Sequence, residues 1–372
     1  MISLRKAVLC CGVVCAPVLA QAQSSVTLYG IIDDGVDYVT NSGGSRTVKL
    51  DDGVLYGNRW GVKGVEDLGG GLRALFTLEG GYSLNSGKLG QGGLEFGRQA
   101  YVGLSNNWGT ITAGRQYDSI ADFITPFSPS LNTVGYGAHQ GNYDRSIGLR
   151  LNNAIKYMSP TVGGFNFGGL YSFSNTAGSF HDGSAYTFGG KYAYGPFKVG
   201  IAYGAYFKPT FDPYAGIGVS SFLGQTTATT NPATGVVTDV NSSLVIESTK
   251  LTEIGASYDL TEALILYGLV THNALKGFGH DDAMNVYEAG WQYHFTPAWL
   301  MYASYTHNTF EGHAWNDESA SVWYSLSKRT SVYAAFEYLR ASSGVNPVIA
   351  GSFVPSTSNQ QAVIRVGMFT KF

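Results

Sequence analysis

From Ser25 to Phe372 the chain is written in segments of about ten residues whose apolar and polar side chains alternate. After residue 22 no apolar run reaches the roughly eighteen residues of a membrane helix. Alternation with period two places one set of side chains on each face of a strand. In Leu72 to Tyr82, for example, Leu72, Ala74, Phe76 and Leu78 take one face and Arg73, Thr77 and Glu79 the other. In Ser25 to Thr40, Val26, Leu28, Ile32 and Val36 alternate with Thr27, Tyr29, Asp33 and Asp37. The segments come in pairs around short turns such as Glu66 to Gly71, Asn106 to Gly109 and Phe295 to Ala298, with longer connections between pairs. Sixteen strands are predicted, the last over Gln361 to Phe372.

Composition decides what such strands face. Charged residues make up 13% of the chain, while it holds 50 glycines and 25 tyrosines, a balance that suits strands whose outer face meets something other than water. A chain that crosses lipid without apolar helices must satisfy its backbone hydrogen bonds by closing into a barrel. The expected fold is therefore all-β, a transmembrane 16-stranded antiparallel β-barrel. An even strand number lets the last strand meet the first and removes exposed edges. A barrel of this size leaves an aqueous channel. The longer connections, 41–54, 84–95, 117–149, 208–249 and 341–360, fall opposite the short turns, on the outside face of an outer-membrane barrel. Thr226 to Thr238 is low in complexity and is expected to be mobile.

Arg5 and Lys6 precede the apolar run Ala7 to Val14, and Ala20-Gln21-Ala22 closes it, so residues 1–22 read as a secretory signal peptide ahead of a barrel over 23–372. Acylation at Cys15 is the competing reading. Cys10, Cys11 and Cys15 all lie in the leader, which leaves the mature chain no disulfide or thiolate site. Without Arg5 and Lys6 the 23 basic residues become 21 against 26 acidic ones, a formal charge of −5 that argues against a nucleic-acid partner.

The connection 117–149 is too long for a turn, and its aromatics Phe123, Phe127, Tyr136 and Tyr143 argue for packing rather than disorder. It reads as an inward-folded constriction loop carrying Asp118 and Asp122. Alternation points Arg59, Lys63, Arg73, Glu79, Arg150, Asn152, Lys156 and Arg365 into the lumen. Arg98 and Arg115 are ambiguous in phase and are placed inward because a charge at mid-membrane on the lipid face costs several kcal/mol. A basic wall facing acidic loop residues makes a transverse field across a narrow opening. The local excess of basic groups predicts a modest preference for anions, because outer carboxylates beyond about 8 Å are screened at physiological salt.

Enzyme readings find little support. His181-Asp182-Gly183-Ser184 and His280-Asp281-Asp282 bring histidine beside carboxylate, but no nucleophile, base and orienting partner fall together. Both read as solvated loop residues. Two acids at Asp281 and Asp282 are a weak calcium signal. No metal, cofactor or catalytic residue is expected.

The segments SSVTLYGIIDDGVDYV, NRWGVKGVEDLGGGLRALFTLEGGY, FGRQAYVGLSNNWGTITAGRQYD, NNAIKYMSPTVGGFNFGGLYSF and the terminal VIRVGMFTKF resemble the general porins of beta-proteobacterial outer membranes. The resemblance implies a homotrimer in outer-membrane lipid, a third external loop folded inward, and Arg59, Arg98 and Arg150 lining the constriction opposite loop acids. It implies passive diffusion of ions and small hydrophilic solutes; a substrate-specific channel or a barrel-hosted hydrolase are the alternatives. Phe372, with Met368, Val366 and Ile364 alternating before it, resembles the signal read by the outer-membrane assembly machinery.

Overall fold

The computed structural model describes residues 24–133, 135, 139–349 and 353–372. The leader, its cysteines and Tyr136 lie outside the described residues. Seventeen strands form one sheet that closes on itself. β1 (Ser25–Ser42) pairs on one side with β17 (Gln360–Lys371), Val36 opposite Val366. On its other side it meets two strands in succession. β3 (Arg59–Gly69) lies against Ser25–Ile31, and β2 (Ser45–Asp52) lies against Asp34–Ser42. β2 and β3 share one position in the wall, so the barrel has sixteen positions and every pairing is antiparallel. The stretch 41–54, expected as a loop, is thus a hairpin. Gly43 and Gly44, both at positive φ, turn it, and Val48 and Leu50 face outward.

The wall continues through β4 (Leu72–Gly81), β5 (Gln99–Asn106), β6 (Gly109–Tyr117), β7 (Arg150–Met158), β8 (Phe165–Ser172), β9 (Ala185–Tyr194) and β10 (Phe197–Phe207). It is completed by β11 (Ser248–Asp259), β12 (Leu264–Gly277), β13 (His280–His294), β14 (Trp299–Phe310), β15 (His313–Ser325) and β16 (Thr330–Ala341). β13 and β15 start earlier than the apolar alternation suggests, because their outer ends stand above the apolar band and carry polar residues on both faces. His280-Asp281-Asp282 accordingly opens a strand instead of lying in a loop.

The outer surface is uneven. Strands β8 to β10 expose aromatic rings toward both ends, among them Phe165, Phe167, Tyr171, Phe188 and Tyr192. Around the junction of β17 with β1 and on to β5 the exposed residues are mainly aliphatic, Ile364, Val366, Val36, Leu28, Val102 and Leu104 among them, with the Phe372 ring at the junction itself. At that junction Phe372 and Gly30 exchange backbone bonds of 3.1 Å each way, and the Phe372 ring covers the space a Cβ on Gly30 would occupy, 2.3 Å from its Cζ. Inside the junction Arg365 is fully buried. It donates to Asp37 Oδ1 (3.0 Å), the Asp51 carbonyl (2.9 Å) and the Tyr333 hydroxyl (2.8 Å), which donates onward to Asp33 (2.7 Å).

The outer connections roof part of the mouth. Ile217, Phe222 and Leu244 join Phe310, Trp315 and Leu339 in one apolar core, and Trp315 Nε1 donates to the Ile217 carbonyl at 3.1 Å. The connection 341–360 is tied in by Asn346 N, which donates to the Gly218 carbonyl at 2.9 Å. Part of the low-complexity stretch is a short hairpin, Ala228–Thr230 against Val237–Asp239.

Candidate functional site: a loop laid across the barrel

Residues 118–149 leave β6 and turn into the barrel. Asp118 starts the turn in extended geometry, and its carboxylate caps α1 (Ser119–Phe123) by accepting from Ala121 N at 3.2 Å. The same carboxylate accepts from Leu149 N (3.0 Å) and the Tyr206 hydroxyl (2.7 Å), which ties both ends of the loop to β10. Asp118 is fully buried, and burial pushes its carboxyl up to about 6 against the hydrogen bonds from Tyr206, Ala121 and Leu149 and the Lys156 charge, which favour ionisation. The sequence places it facing the arginines across the opening. Its side chain is consumed in anchoring the loop instead, because the first helical turn needs an acceptor for its free N–H groups.

Past α1 the chain runs through short helical turns at Thr125–Phe127 and Pro129–Asn132, flat against the wall. At four points the wall is bare of side chains where the loop touches it. An added Cβ would meet Phe123 Cδ2 at 2.7 Å from Gly189, the Phe123 carbonyl at 2.1 Å from Gly200, Phe127 Cβ at 2.6 Å from Gly255 and Pro129 Cγ at 2.6 Å from Gly290. These four glycines, on β9, β10, β11 and β13, form a trough, the usual meaning of glycine inside a strand where another backbone comes close. Ile120, Phe123 and Ile124 fill the space below with Ala202, Leu251 and Leu269.

The far part of the loop is held by charge. His139 Nδ1 meets Asp144 Oδ2 at 2.6 Å and its Nε2 meets Glu288 Oε2 at 2.9 Å. Glu288 also accepts from Ser130 N (2.7 Å) and the Ser304 hydroxyl (2.9 Å). Burial alone would favour neutral imidazole, but the two carboxylates hold the His139 ring well above its ordinary range. Burial likewise opposes ionisation of Asp144, and the His139 charge and hydrogen bond outweigh it, holding that carboxyl below 3.8. Glu253 on β11 is buried beside this group with neither carboxylate oxygen hydrogen-bonded.

On the opposite wall Arg98, just before β5, donates from Nε to Glu79 Oε1 at 2.8 Å; Glu79 Oε2 accepts from the Tyr29 hydroxyl at 3.0 Å. Arg98 and Arg150 both donate to the Tyr117 hydroxyl, and the Arg150 guanidinium lies 4.6 Å over the Tyr117 ring. Arg59 lies within electrostatic reach of Arg98, Glu79, Tyr117 and Arg150. Lys156 reaches across to the loop, pairing with Asp122 and donating to the Tyr117 carbonyl at 3.0 Å. Arg59, Tyr101, Gln116, Tyr117, Asp122 and Lys156 line a lumen cleft of about 580 Å3.

The structure therefore gathers Arg59, Arg98, Arg150, Glu79, Lys156 and Asp122. Lys63 and Arg73 face the lumen but stand apart. Lys63 is four residues down β3 from Arg59, roughly 13 Å, with its ammonium 5.3 Å over the Tyr29 ring. Arg73 is six residues from Glu79, roughly 20 Å toward the short turns, and is exposed. Arg115 departs from expectation. It follows Ile111 and Ala113 on the outward phase of β6, with Nε on the Gly97 carbonyl (2.8 Å) and Nη1 on Asn152 Oδ1 (2.6 Å). Asn152 also points outward, because a bulge between β6 and β7, with Asn153 at φ 51°, shifts the phase and turns Leu151 toward the loop.

The histidine clusters form no constellation. His181 stacks edge-on against Phe207, and Asp281 stands opposite Lys276. Among the described residues no three of His, Cys, Asp and Glu are grouped to hold a metal.

A closed barrel with a loop folded across its lumen between charged walls defines a channel architecture. The family model described as Gram-negative porin matches residues 7–344, and the chain belongs to that family. It is 36% identical over 214 residues to an outer membrane porin protein of Bordetella pertussis, covering 50% of this chain and 54% of that protein. It is 36% identical over 179 residues to outer membrane porin protein 32 of Delftia acidovorans, covering 46% and 50%. The chain thus spans about half the length of these curated relatives. Among solved structures, the anion-selective porin from Comamonas acidovorans shares the fold with a TM-score of 0.76 over 94% of this chain and 100% of that one, at 24% identity. The barrel's place is the outer membrane.

Proposed function

We propose that this protein is a general diffusion porin, a passive aqueous channel for ions and small hydrophilic solutes with a weak preference for anions. One observation carries the reading: Arg59, Arg98 and Arg150 converge on one side of a lumen that the loop 117–149 narrows from the other, with Glu79 as the counter-charge on that wall. The name of the Comamonas acidovorans structure, anion-selective porin, agrees with it. Mobile anions meet three guanidiniums in a space too narrow for full screening, and rings of like charge bias which ions enter. Lys156 with Asp122, and more weakly Lys63 and Arg73 below, extend the basic lining.

The protein is read as a channel and not an enzyme. Residues 1–22 serve as the cleaved export leader and Phe372 as the contact for the assembly machinery. The aliphatic, ring-poor outer face from β17 through β1 to β5 supports a homotrimer, because membrane-facing strands carry aromatic girdles and a closed ring buries the same patch in every copy. Arg115 borders that face without an acidic partner among the described residues, which suits coverage by a second copy better than exposure to lipid.

Planar-bilayer recording tests the function. Stepwise conductance should rise linearly with salt without saturation by one solute, and the reversal potential in a salt gradient should favour anions. Replacing Arg59, Arg98 and Arg150 together with alanine should shift that potential toward cations. A saturable current with one sugar or amino acid would establish a specific channel instead, and an unchanged potential in the triple variant would remove the arginines from the account.

A further inference from the structure

Two guanidiniums of like charge share a single neutral oxygen beside the loop that crosses the lumen. The Tyr117 hydroxyl accepts from Arg98 Nη2 at 3.0 Å and from Arg150 Nη2. A phenol can also donate one hydrogen. With two cationic donors on the oxygen, that hydrogen must point away from both. The nearby carboxylate Glu79 accepts from Arg98 Nε at Oε1 and from the Tyr29 hydroxyl at Oε2, and no hydrogen bond joins it to Tyr117. No acceptor for it is found among the described residues, and Tyr117 lines the lumen cleft with Arg59 and Lys156. The backbone at Tyr117 is held as well, since its carbonyl accepts from Lys156 at 3.0 Å.

We propose that Tyr117 is a specificity-determining residue of the channel, which holds Arg98 and Arg150 in place and presents its own O–H to the anion in transit. The inference rests on the channel reading above. Polarisation by two guanidiniums strengthens the phenol as a donor, since hydrogen bonds in a chain reinforce one another. Anions that accept directional hydrogen bonds, such as carboxylates, gain more from it than a spherical halide does.

The test is Tyr117→Phe, which keeps the ring under Arg150 and removes only the oxygen. Reversal potentials are measured in gradients of potassium chloride and potassium acetate. The variant should lose about threefold to tenfold in acetate-to-chloride permeability, the span of one hydrogen bond. In an Arg150→Ala background the same substitution should have a smaller effect, because one of the two groups it positions is gone. An acetate-to-chloride ratio equal to wild type overturns the donor role, and equal effects in both backgrounds overturn the positioning role. The ratio is readable even if wild type shows no net preference for anions over cations, an outcome that would count against the channel's selectivity and not against Tyr117.

Discussion

A single methyl group at Gly200 should move the loop. The Cβ would stand 2.1 Å from the Phe123 carbonyl oxygen and 2.6 Å from Phe127 Cε2, where non-bonded contact needs about 3.5 Å. The deficit is about 1.4 Å at the oxygen and about 0.9 Å at the ring carbon. Gly200 cannot retreat, since it is paired with Lys191 on β9 and Gly255 on β11, so the loop must lift toward the arginine wall and narrow the lumen. Overpacking of this kind costs about 1–3 kcal/mol, offset by the roughly 0.5–1 kcal/mol that alanine gains over glycine within a strand. Gly268→Ala is the control: this glycine faces outward on β12, and its nearest neighbour would be the Glu288 carbonyl at 4.0 Å. Single-channel conductance and the thermal unfolding midpoint in detergent should both fall for Gly200→Ala and not for Gly268→Ala. If Gly200→Ala conducts and unfolds like wild type, the trough does not set the loop's position.

The latch formed by His139, Asp144 and Glu288, with Glu253 beside Asp144 and Asp317 beside Glu288 as the other acids near it, has a pH window of definite sign. The raised imidazole contributes fully below 6.5 and is lost only as pH rises through its raised value, while Asp144 contributes above 3.8 and is lost as pH falls through its lowered value. Conductance should be steady between those limits and show closures in stronger acid, whereas His139→Gln should show closures already at neutral pH in the same recordings. Arg365→Leu strips Asp37 of its buried ion pair and should lower barrel stability by about 3–5 kcal/mol, read as a reduced unfolding midpoint in detergent. Deleting Phe372 exposes Gly30 and removes the terminal backbone pair, so the yield of heat-modifiable, folded barrel in outer-membrane fractions should drop.

The wall is legible from local pattern, and the interior is not. Strict alternation in Leu72 to Leu78 and in the terminal Ile364, Val366 and Met368 identifies outward faces because period two has no other reading. The strand Ser45–Asp52 leaves a signal, Gly43-Gly44 followed by alternating Thr47, Val48, Lys49 and Leu50, but four alternating residues beside a strand are too few to separate strand from loop. Arg59 and Glu79 face the lumen as their phase indicates, since the register between their strands is unbroken from Arg59 to Asp67 and shifts at the turn, between Asp67 and Gly69. Arg115 is misplaced by the general cost of charge in lipid, which overrules the phase of Ile111 and Ala113. The bulge that displaces Asn152 turns on one residue at positive φ, which any Asn-Asn pair could adopt or decline. Tyr117 and His139 gain their roles from partners that the fold alone brings together, Glu288 being 149 residues away. The four trough glycines are individually visible as glycines inside strands, but only strand register lines them up beneath the loop.

Tyr143 belongs to two assemblies at once. It lies in the loop that crosses the lumen, its backbone carbonyl accepting from Asn273 at 2.7 Å, while its ring is packed edge-on against Phe211 at 4.6 Å and its hydroxyl donates to the Asp212 carbonyl at 3.2 Å. Phe211 and Asp212 belong to the connection 208–249, on the side of the barrel opposite the short turns. Arg145 adds a second tie, its guanidinium 5.6 Å over the Phe211 ring, so a displacement of that outer structure is delivered to the loop. The outer connection and the loop across the lumen are thus parts of a single packed body.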